Sequence, residues 1–341
     1  MNPTILVTGA AGFIGMLVCS RLLREGHRVI GLDSLNDYYS PALKRHRIDR
    51  LIQQRDFQFE RIDIAEPQAV TKVFEQTHPT RVVHLAAQAG VRYALEHPYA
   101  YSASNLAGTT VILENCRRHA VEHLVLASSS SVYGGSSKVP FAENDPVDHP
   151  VSFYAATKRA TELMAHSFAH LFALPVTVLR YFTVYGPWGR PDMAIWKFTD
   201  AILRHRPIEV FGGGTLSRDF TFGEDAAEAT VRVLAQPPAR AGSNDPRNWS
   251  ADSPATSWAP FEIYNVGRSD PVSVNQLVAL LEKAIGKPAQ RVESPMQPGD
   301  VERTFADTRK LKRAIDYEPA TTLDAGLGRF VEWYRSYRQA M

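Results

Sequence analysis

Apolar positions in the first half of the chain recur as short unbroken runs separated by amphipathic stretches. Ile5, Leu6 and Val7 form the first run, the pattern of a strand buried on both faces, and glycines follow at once. A helix over 13–25 is expected next, then a strand Arg28–Leu32, and further strands over 81–86, over 123–128 and at Val176–Tyr181. A long helix is expected over 154–173. Strand and helix in alternation predict a doubly wound parallel α/β sheet, in which ligands bind beyond the carboxyl ends of the strands. After Tyr181 the pattern breaks into short Gly- and Pro-containing pieces. A polar stretch over 236–260 reads as a long surface loop, and 311–338 reads as two short helices closing a smaller lobe. The expected division is therefore 1–182, with segments at about 220–265 returning to it, and a mixed α/β C-terminal lobe over 183–341. There is no internal repeat.

At 341 residues and 44% hydrophobic composition the chain can bury two substantial cores. No apolar run reaches 18 residues, and Met1-Asn2-Pro3-Thr4 leads straight into a strand, so neither a membrane span nor an export signal is expected and a cytoplasmic location is. A net charge of +2 offers no broad field for nucleic acid. Cys19 and Cys116 are expected to be reduced core residues. His166 and His170 share a helical face, but lack the Glu of a zinc-protease pattern, so a solvated face is expected and no metal.

The glycine turn, Thr8-Gly9-Ala10-Ala11-Gly12-Phe13-Ile14-Gly15, carries the first chemistry. Gly9 permits the tight turn, Gly12 admits a pyrophosphate to the backbone, and Gly15 lets the helix pack closely; the helix N-terminus faces the phosphates. Asp33, 18 residues after Gly15, ends the second strand, where it can accept from ribose hydroxyls and repel a 2'-phosphate. NAD is therefore expected rather than NADP. The strand over 81–86 runs into Ala87-Gln88-Ala89-Gly90, small enough for a cofactor to lie on its backbone. Tyr154 and Lys158, four residues apart, share one helix face. A cation about 4 Å from a phenol contributes roughly 4 kcal/mol at an effective dielectric of 20. Lys158 is thus expected to draw Tyr154 toward neutrality, where acid and base work is efficient, with Ser129 hydrogen-bonding the reacting oxygen.

Four motifs carry a resemblance over nearly the whole length: Asp33-Ser34-Leu35-Asn36-Asp37-Tyr38-Tyr39, Ser128-Ser129-Ser130-Ser131-Val132-Tyr133-Gly134, Tyr154-Ala155-Ala156-Thr157-Lys158, and Arg180 to Met193. With them the chain resembles extended short-chain dehydrogenase/reductases with a Rossmann-type sheet, and specifically the UDP-glucuronate 4-epimerase family. The resemblance implies a tightly held NAD, a UDP-uronic acid substrate (UDP-glucuronate or UDP-galacturonate), a role in polysaccharide biosynthesis and a homodimer built on helices of the cofactor lobe. It implies cofactor contacts from Asn36, Asp63, Ile64, Leu85, Ala86, Ala87 and Tyr154, and from Lys158 at the nicotinamide ribose. Substrate contacts are implied from Gln88, Arg92, Ser129, Ser130, Ser131 and Thr183, with Lys197, Phe198, Val210 and Phe211 at the uracil and ribose. Arg218 would pair with a phosphate, and Asp300 with Arg303 would close over the nucleotide. Thr183 stands where UDP-galactose epimerases usually carry Asn. Ser130 and Ser131 replace the Asp-Glu pair of dehydratases, and Ser131 the Glu of UDP-glucuronate decarboxylases. The nearer alternative activity is that decarboxylation; the further one is a non-catalytic NAD sensor. A 4-keto uronate would readily lose carbon dioxide, so Ser130, Ser131, Thr183 and Arg190 are expected to hold the carboxylate out of alignment with the ketone.

Overall fold

The computed structural model describes residues 3–240, 257–296 and 301–339. The chain begins with β1 (Thr4–Thr8), α1 (Phe13–Arg24), β2 (Arg28–Leu32), α2 (Pro41–Ile52), β3 (Phe57–Glu60), α3 (Pro67–Thr77) and β4 (Arg81–His84). Two single turns, α4 (Tyr93–Glu96) and α5 (Pro98–Tyr101), and a π-helical segment Ser102–Ala107 precede α6 (Gly108–Arg118) and β5 (His123–Ser129). After a 3-10 turn, Ser130–Tyr133, come α7 (Phe153–Phe172) and β6 (Val176–Tyr181). The remainder contains β7 (Thr183–Tyr185), α8 (Ala194–Leu203), β8 (Ile208–Phe211), β9 (Ser217–Phe222), α9 (Gly223–Leu234), β10 (Phe261–Val266), β11 (Pro271–Ser273), α10 (Val274–Ile285), β12 (Arg291–Ser294), α11 (Arg309–Ile315) and α12 (Leu323–Gln339).

Seven strands form one sheet in the order β10-β6-β5-β4-β1-β2-β3, every pair parallel. The chain runs outward from β1 through β2 to β3, then crosses to β4 on the other side of β1. This reversal opens a crevice at the carboxyl ends of β1 and β4, where an α/β sheet takes its ligand. Strand residues alternate between two cores: Ile5, Val7, Val83 and Val125 face one layer, Leu6, Val82, Leu124 and Leu126 the other. Burial on both faces explains why these strands read as continuous apolar runs. Each fully buried aliphatic side chain contributes about 1.5–3 kcal/mol. A third core, among them Phe198, Val210, Phe222, Leu281 and Phe330, binds α8, α10 and α12 to two small sheets, β11-β9-β7 and β12-β8.

The second half is more regular than its Gly and Pro content implies. Three helices of 10–12 residues, α8, α9 and α10, stand where short pieces are expected. One carried a readable signal: Ser273 and Gln276 form a capping box at the start of α10. The terminal pair also differs from expectation. α12 is 17 residues long, and α11 places Leu311 and Ile315 in the core of the main sheet rather than in the smaller lobe. Most of the polar stretch over 236–260 lies outside the described residues. The face shared by His166 and His170 is solvated at His170, which is exposed and accepts from Trp258 Nε1 at 3.1 Å, whereas His166 is half-buried, its Nε2 meeting Ser257 Oγ at 2.8 Å with its ring against Phe261. Cys19 and Cys116 are buried in separate cores, and burial raises both thiols. Among the described residues no group of three or more His, Cys, Asp or Glu is placed to hold a metal, and no helix is long and apolar enough to cross a membrane.

Candidate active site

A cleft of about 560 Å³ opens at the carboxyl ends of the central strands. Its floor is the glycine turn. Gly9 sits at φ +74°, where an added Cβ would lie 2.8 Å from Ala86 N; a Cβ at Gly15 would lie 2.0 Å from Gly9 O. The turn is therefore pressed against the end of β4 and against α1, with no room for a side chain at either place. Gly12, Phe13, Ile14, Asp33, Asn36, Asp63, Ile64, Leu85, Ala86, Ala87 and Gln88 also line the cleft. Asp33 accepts from Ala11 N at 3.1 Å and Leu35 N at 2.8 Å. Each of its oxygens keeps a further lone pair for a hydroxyl. Lys44 Nζ fixes Asn36 through its carbonyl at 2.7 Å. Gln88 Nε2 is buried without a hydrogen-bond partner in the wall of the cleft, a donor left for a ligand. Its backbone is pinned by Asn105, which accepts from Gln88 N at 2.8 Å and donates to Gln88 O at 3.1 Å from within the π-helical segment. Glycines that tolerate no Cβ, an acid at the end of β2 and an unused buried donor fit a dinucleotide such as NAD.

Tyr154 reaches this cleft from the first turn of α7, which Ser152 caps by accepting from Ala155 N at 3.1 Å. Ser129, at the end of β5, hydrogen-bonds the Tyr154 phenol and also donates to Ser131 Oγ at 3.1 Å. Burial pushes Tyr154 up from 10, and the Arg190 charge and the Ser129 hydrogen bond oppose that rise. The spacing of Tyr154 and Lys158 pointed to one cation, and the structure adds Arg190 as a second beside the phenol. Lys158 is buried one helical turn on, and its Nζ donates to Ala127 O at 3.0 Å. Burial lowers it to about 8, with Glu162 acting against the fall.

A stability signature follows for Lys158. Its ordinary value is 10.5, so between about 8 and 10.5 the unfolded chain holds a proton that the native chain has released. The unfolded state then binds more protons, and stability rises with pH across that window. Urea unfolding of wild type and Lys158→Met is expected to show the wild type gaining on the variant above pH 8. A difference independent of pH would refute the assignment.

Ser130, Ser131, Thr183 and Arg190 lie along the same cleft, which Thr183 and Arg190 share with a second cavity of about 450 Å³. Arg190 already has a partner: its Nε donates to Asp192 Oδ1 at 3.0 Å and its Nη2 to Asp192 Oδ2. That edge of the guanidinium is occupied, so a substrate carboxylate must meet Nη1 or displace Asp192. The second cavity is lined by Arg92, Lys197, Phe198, Phe211 and Arg218, with the Arg92 guanidinium 4.9 Å from the centre of the Phe211 ring. Val210 faces the third core instead, fully buried, so only its backbone is available to a ligand. Arg303 is exposed, bridging Ser217 outside both cavities, and Asp300 lies outside the described residues.

Several lining residues carried no role in the sequence reading. Tyr38 and Asp192 belong to motifs quoted there, yet their junction, Tyr38 Oη donating to Asp192 Oδ2 at 3.1 Å, spans 154 positions and has no local signature. Asn105 and Lys44 likewise act through contacts that no spacing rule reports.

Residues 5–248 match the model of the NAD dependent epimerase/dehydratase family. The chain is 46% identical over 336 residues to a probable UDP-glucuronate 4-epimerase of Rhizobium meliloti (strain 1021), covering 98% of each. A crystal structure of UDP-glucuronic acid 4-epimerase from Bacillus cereus with UDP-glucuronic acid and NAD superposes with a TM-score of 0.86 at 32% identity, over 98% of this chain and 99% of that one. A UDP-glucose 4-epimerase from Thermotoga maritima with UDP-glucose gives 0.83 at 30% identity, over 98% and 99%.

Proposed function

The chain belongs to the NAD dependent epimerase/dehydratase family, and we propose from that premise that it interconverts UDP-glucuronate and UDP-galacturonate by inverting C4 of the sugar. NAD, when bound in the larger cleft, supplies the acceptor for the C4 hydride and gives it back. Tyr154 takes the proton of the 4-hydroxyl and later returns it, Ser129 orients that oxygen, and Lys158 supports the cofactor side of the helix. The 4-keto sugar must present its other face before the hydride returns. Because the cycle is redox-neutral, NAD stays with the enzyme.

The observation that carries this reading is a single cleft holding the glycine turn, the Tyr154–Ser129 pair and the Arg190 charge. Hydroxyls at Ser130 and Ser131, where eliminating enzymes need acids, favour returning the intermediate intact over removing water or carbon dioxide. The uronate carboxylate is held by Ser130, Ser131, Thr183 and Arg190. Lys197, Phe198, the Val210 backbone and Phe211 take the uracil and ribose, and Arg92 and Arg218 the diphosphate. The division into a cofactor lobe over 1–182, with later segments returning, and a substrate lobe over 183–341 puts these two cavities side by side. Leu95, Tyr99, Phe153, Leu163 and Leu171 are exposed on α4, α5 and α7. We assign this face to a second copy, giving a homodimer in the cytoplasm that supplies polysaccharide synthesis.

Proton NMR of the purified protein with UDP-glucuronate and no added NAD tests the reading. UDP-galacturonate is expected. UDP-xylose would replace epimerisation by decarboxylation, and an unchanged spectrum from NAD-loaded protein would reject the uronic acid substrate and favour an NAD sensor.

Arg190→Ala gives a second check. Removing this cation takes away one of the two influences that lower the Tyr154 phenol. The acidic limb of kcat/KM is therefore expected to move to higher pH, KM for UDP-glucuronate to rise by about tenfold, and carbon dioxide to appear. Wild-type constants with no released carbon dioxide would remove Arg190 from the carboxylate site.

A further inference from the structure

Arg47, on α2, is fully buried at the joint between the glycine turn and the segment that carries Arg190. Its Nη1 donates to Ala11 O at 2.9 Å and to Tyr39 Oη at 2.6 Å. Its Nε and Nη2 donate to Trp188 O at 3.1 and 2.6 Å, and Nη2 also reaches Gly189 O at 3.0 Å. Among the described residues no carboxylate forms a salt bridge with it. The cation is thus held by a phenol 8 positions away and by three backbone carbonyls 36 to 142 positions away along the chain. Such an arrangement uses the planar fork of the guanidinium as a rigid spacer.

The 186–190 turn needs a support of this kind. Trp188 takes φ +66°, a left-handed conformation that a bulky residue adopts only when its surroundings impose it. On its far side the Gly186-Pro187-Trp188 segment borders an open cleft of about 550 Å³. The indole packs on Trp333 and Tyr337, but the backbone carbonyls of Trp188 and Gly189 are fixed by Arg47. Two residues further on, Asp192 holds Arg190 and accepts from Tyr38, a second tie to the loop after β2.

We propose that Arg47 is a positioning residue that couples the two halves of the site: it locks the Trp188–Gly189 backbone to the glycine turn, so that the dinucleotide cradle and the placement of Arg190 are set together. A lysine at this position keeps the charge, but its donors radiate from one nitrogen and cannot span Ala11 and Trp188 at once. The kinetic part of this inference rests on the proposed substrate; the cofactor part does not.

The test compares wild type, Arg47→Lys, Arg190→Ala and the double variant as NAD-loaded proteins. UDP is expected to slow NAD release in wild type, and in Arg47→Lys release should be about tenfold faster and indifferent to UDP. KM for UDP-glucuronate should rise and carbon dioxide appear in Arg47→Lys, with little further change when Arg47→Lys is added to Arg190→Ala. Wild-type NAD release with its UDP response intact would overturn the coupling, as would kinetic effects that simply add to those of Arg190→Ala. If Arg47→Lys does not fold, Tyr39→Phe removes one acceptor of Nη1, and unchanged NAD release in that variant would equally overturn it. Absence of turnover by wild type would reject the substrate while the NAD-release measurements still decide the coupling.

Discussion

Replacing Tyr154 by Phe is expected to lower kcat by about a thousandfold, within the 10²–10⁴ range that a positioned general acid and base supplies. That factor corresponds to roughly 4 kcal/mol in the barrier. The substitution deletes one oxygen and leaves the ring, which packs edge-on against Tyr101 at 6.1 Å between centroids, so folding and ligand binding should survive. NAD content and UDP affinity are therefore expected at wild-type levels while turnover of UDP-glucuronate collapses. More than a tenth of wild-type kcat in the variant would mean that another group moves the proton. The result also bears on how the phenol is tuned. Burial opposes its ionisation, and the counteracting groups are Arg190 and Ser129, both placed by segments outside α7.

The second large effect concerns stability. Glu162 and Arg180 are each about 1% exposed and face one another through two bonds of 2.9 Å. Ser128 Oγ donates to Glu162 at 2.6 Å and Arg159 at 3.0 Å, while Arg180 also reaches Tyr133 Oη at 3.1 Å. Burial alone would raise the Glu162 carboxyl; Arg180 and the other donors outweigh it and hold the group below its ordinary value. Its contribution is thus present at neutral pH and is lost as pH falls through the acid range. Glu162→Ala leaves a buried guanidinium without its counter-charge, which costs about 3–5 kcal/mol. For a chain of this size that lowers Tm by roughly 5 °C, from an unfolding entropy of about 2 cal/mol/K per residue. A double replacement of Glu162 and Arg180 by apolar residues of similar volume should cost less than the single one, since no unpaired charge remains. Urea unfolding of both variants decides it: a loss under 1 kcal/mol in Glu162→Ala would show that the pair is not stabilising the fold. Glu162 also supports the Lys158 charge, so the same variant should drive Lys158 below its value of about 8.

These two predictions divide what can be read along a chain from what cannot. The strands Arg28–Leu32 and Val176–Tyr181 match their sequence readings to the residue, and α1 and α7 do so within one position at each end. The glycine turn, Asp33 after β2, and Tyr154 with Lys158 on one helical face were legible for the same reason: each is a local matter of periodicity, backbone sterics or four-residue spacing. Charge environment was not legible. Spacing paired Lys158 with the Tyr154 phenol, but only the fold shows that Lys158 donates to Ala127 O and that Arg190, 36 residues away, also acts on the phenol. The grip of Asp192 on Arg190 and the burial of the Val210 side chain, which leaves only its backbone to a ligand, had no local signature either. Arg47 carried no signal in the sequence, because its role exists only when Ala11 and Trp188 are brought within 3 Å of one side chain. Sequence by itself determined the sheet, the cofactor turn and the reacting tyrosine, since hydrophobic period and glycine sterics act between near neighbours. The tertiary structure alone decided which charges act on that tyrosine and what joins the two cavities, since burial and Coulomb interactions depend on distances in space that no local pattern encodes.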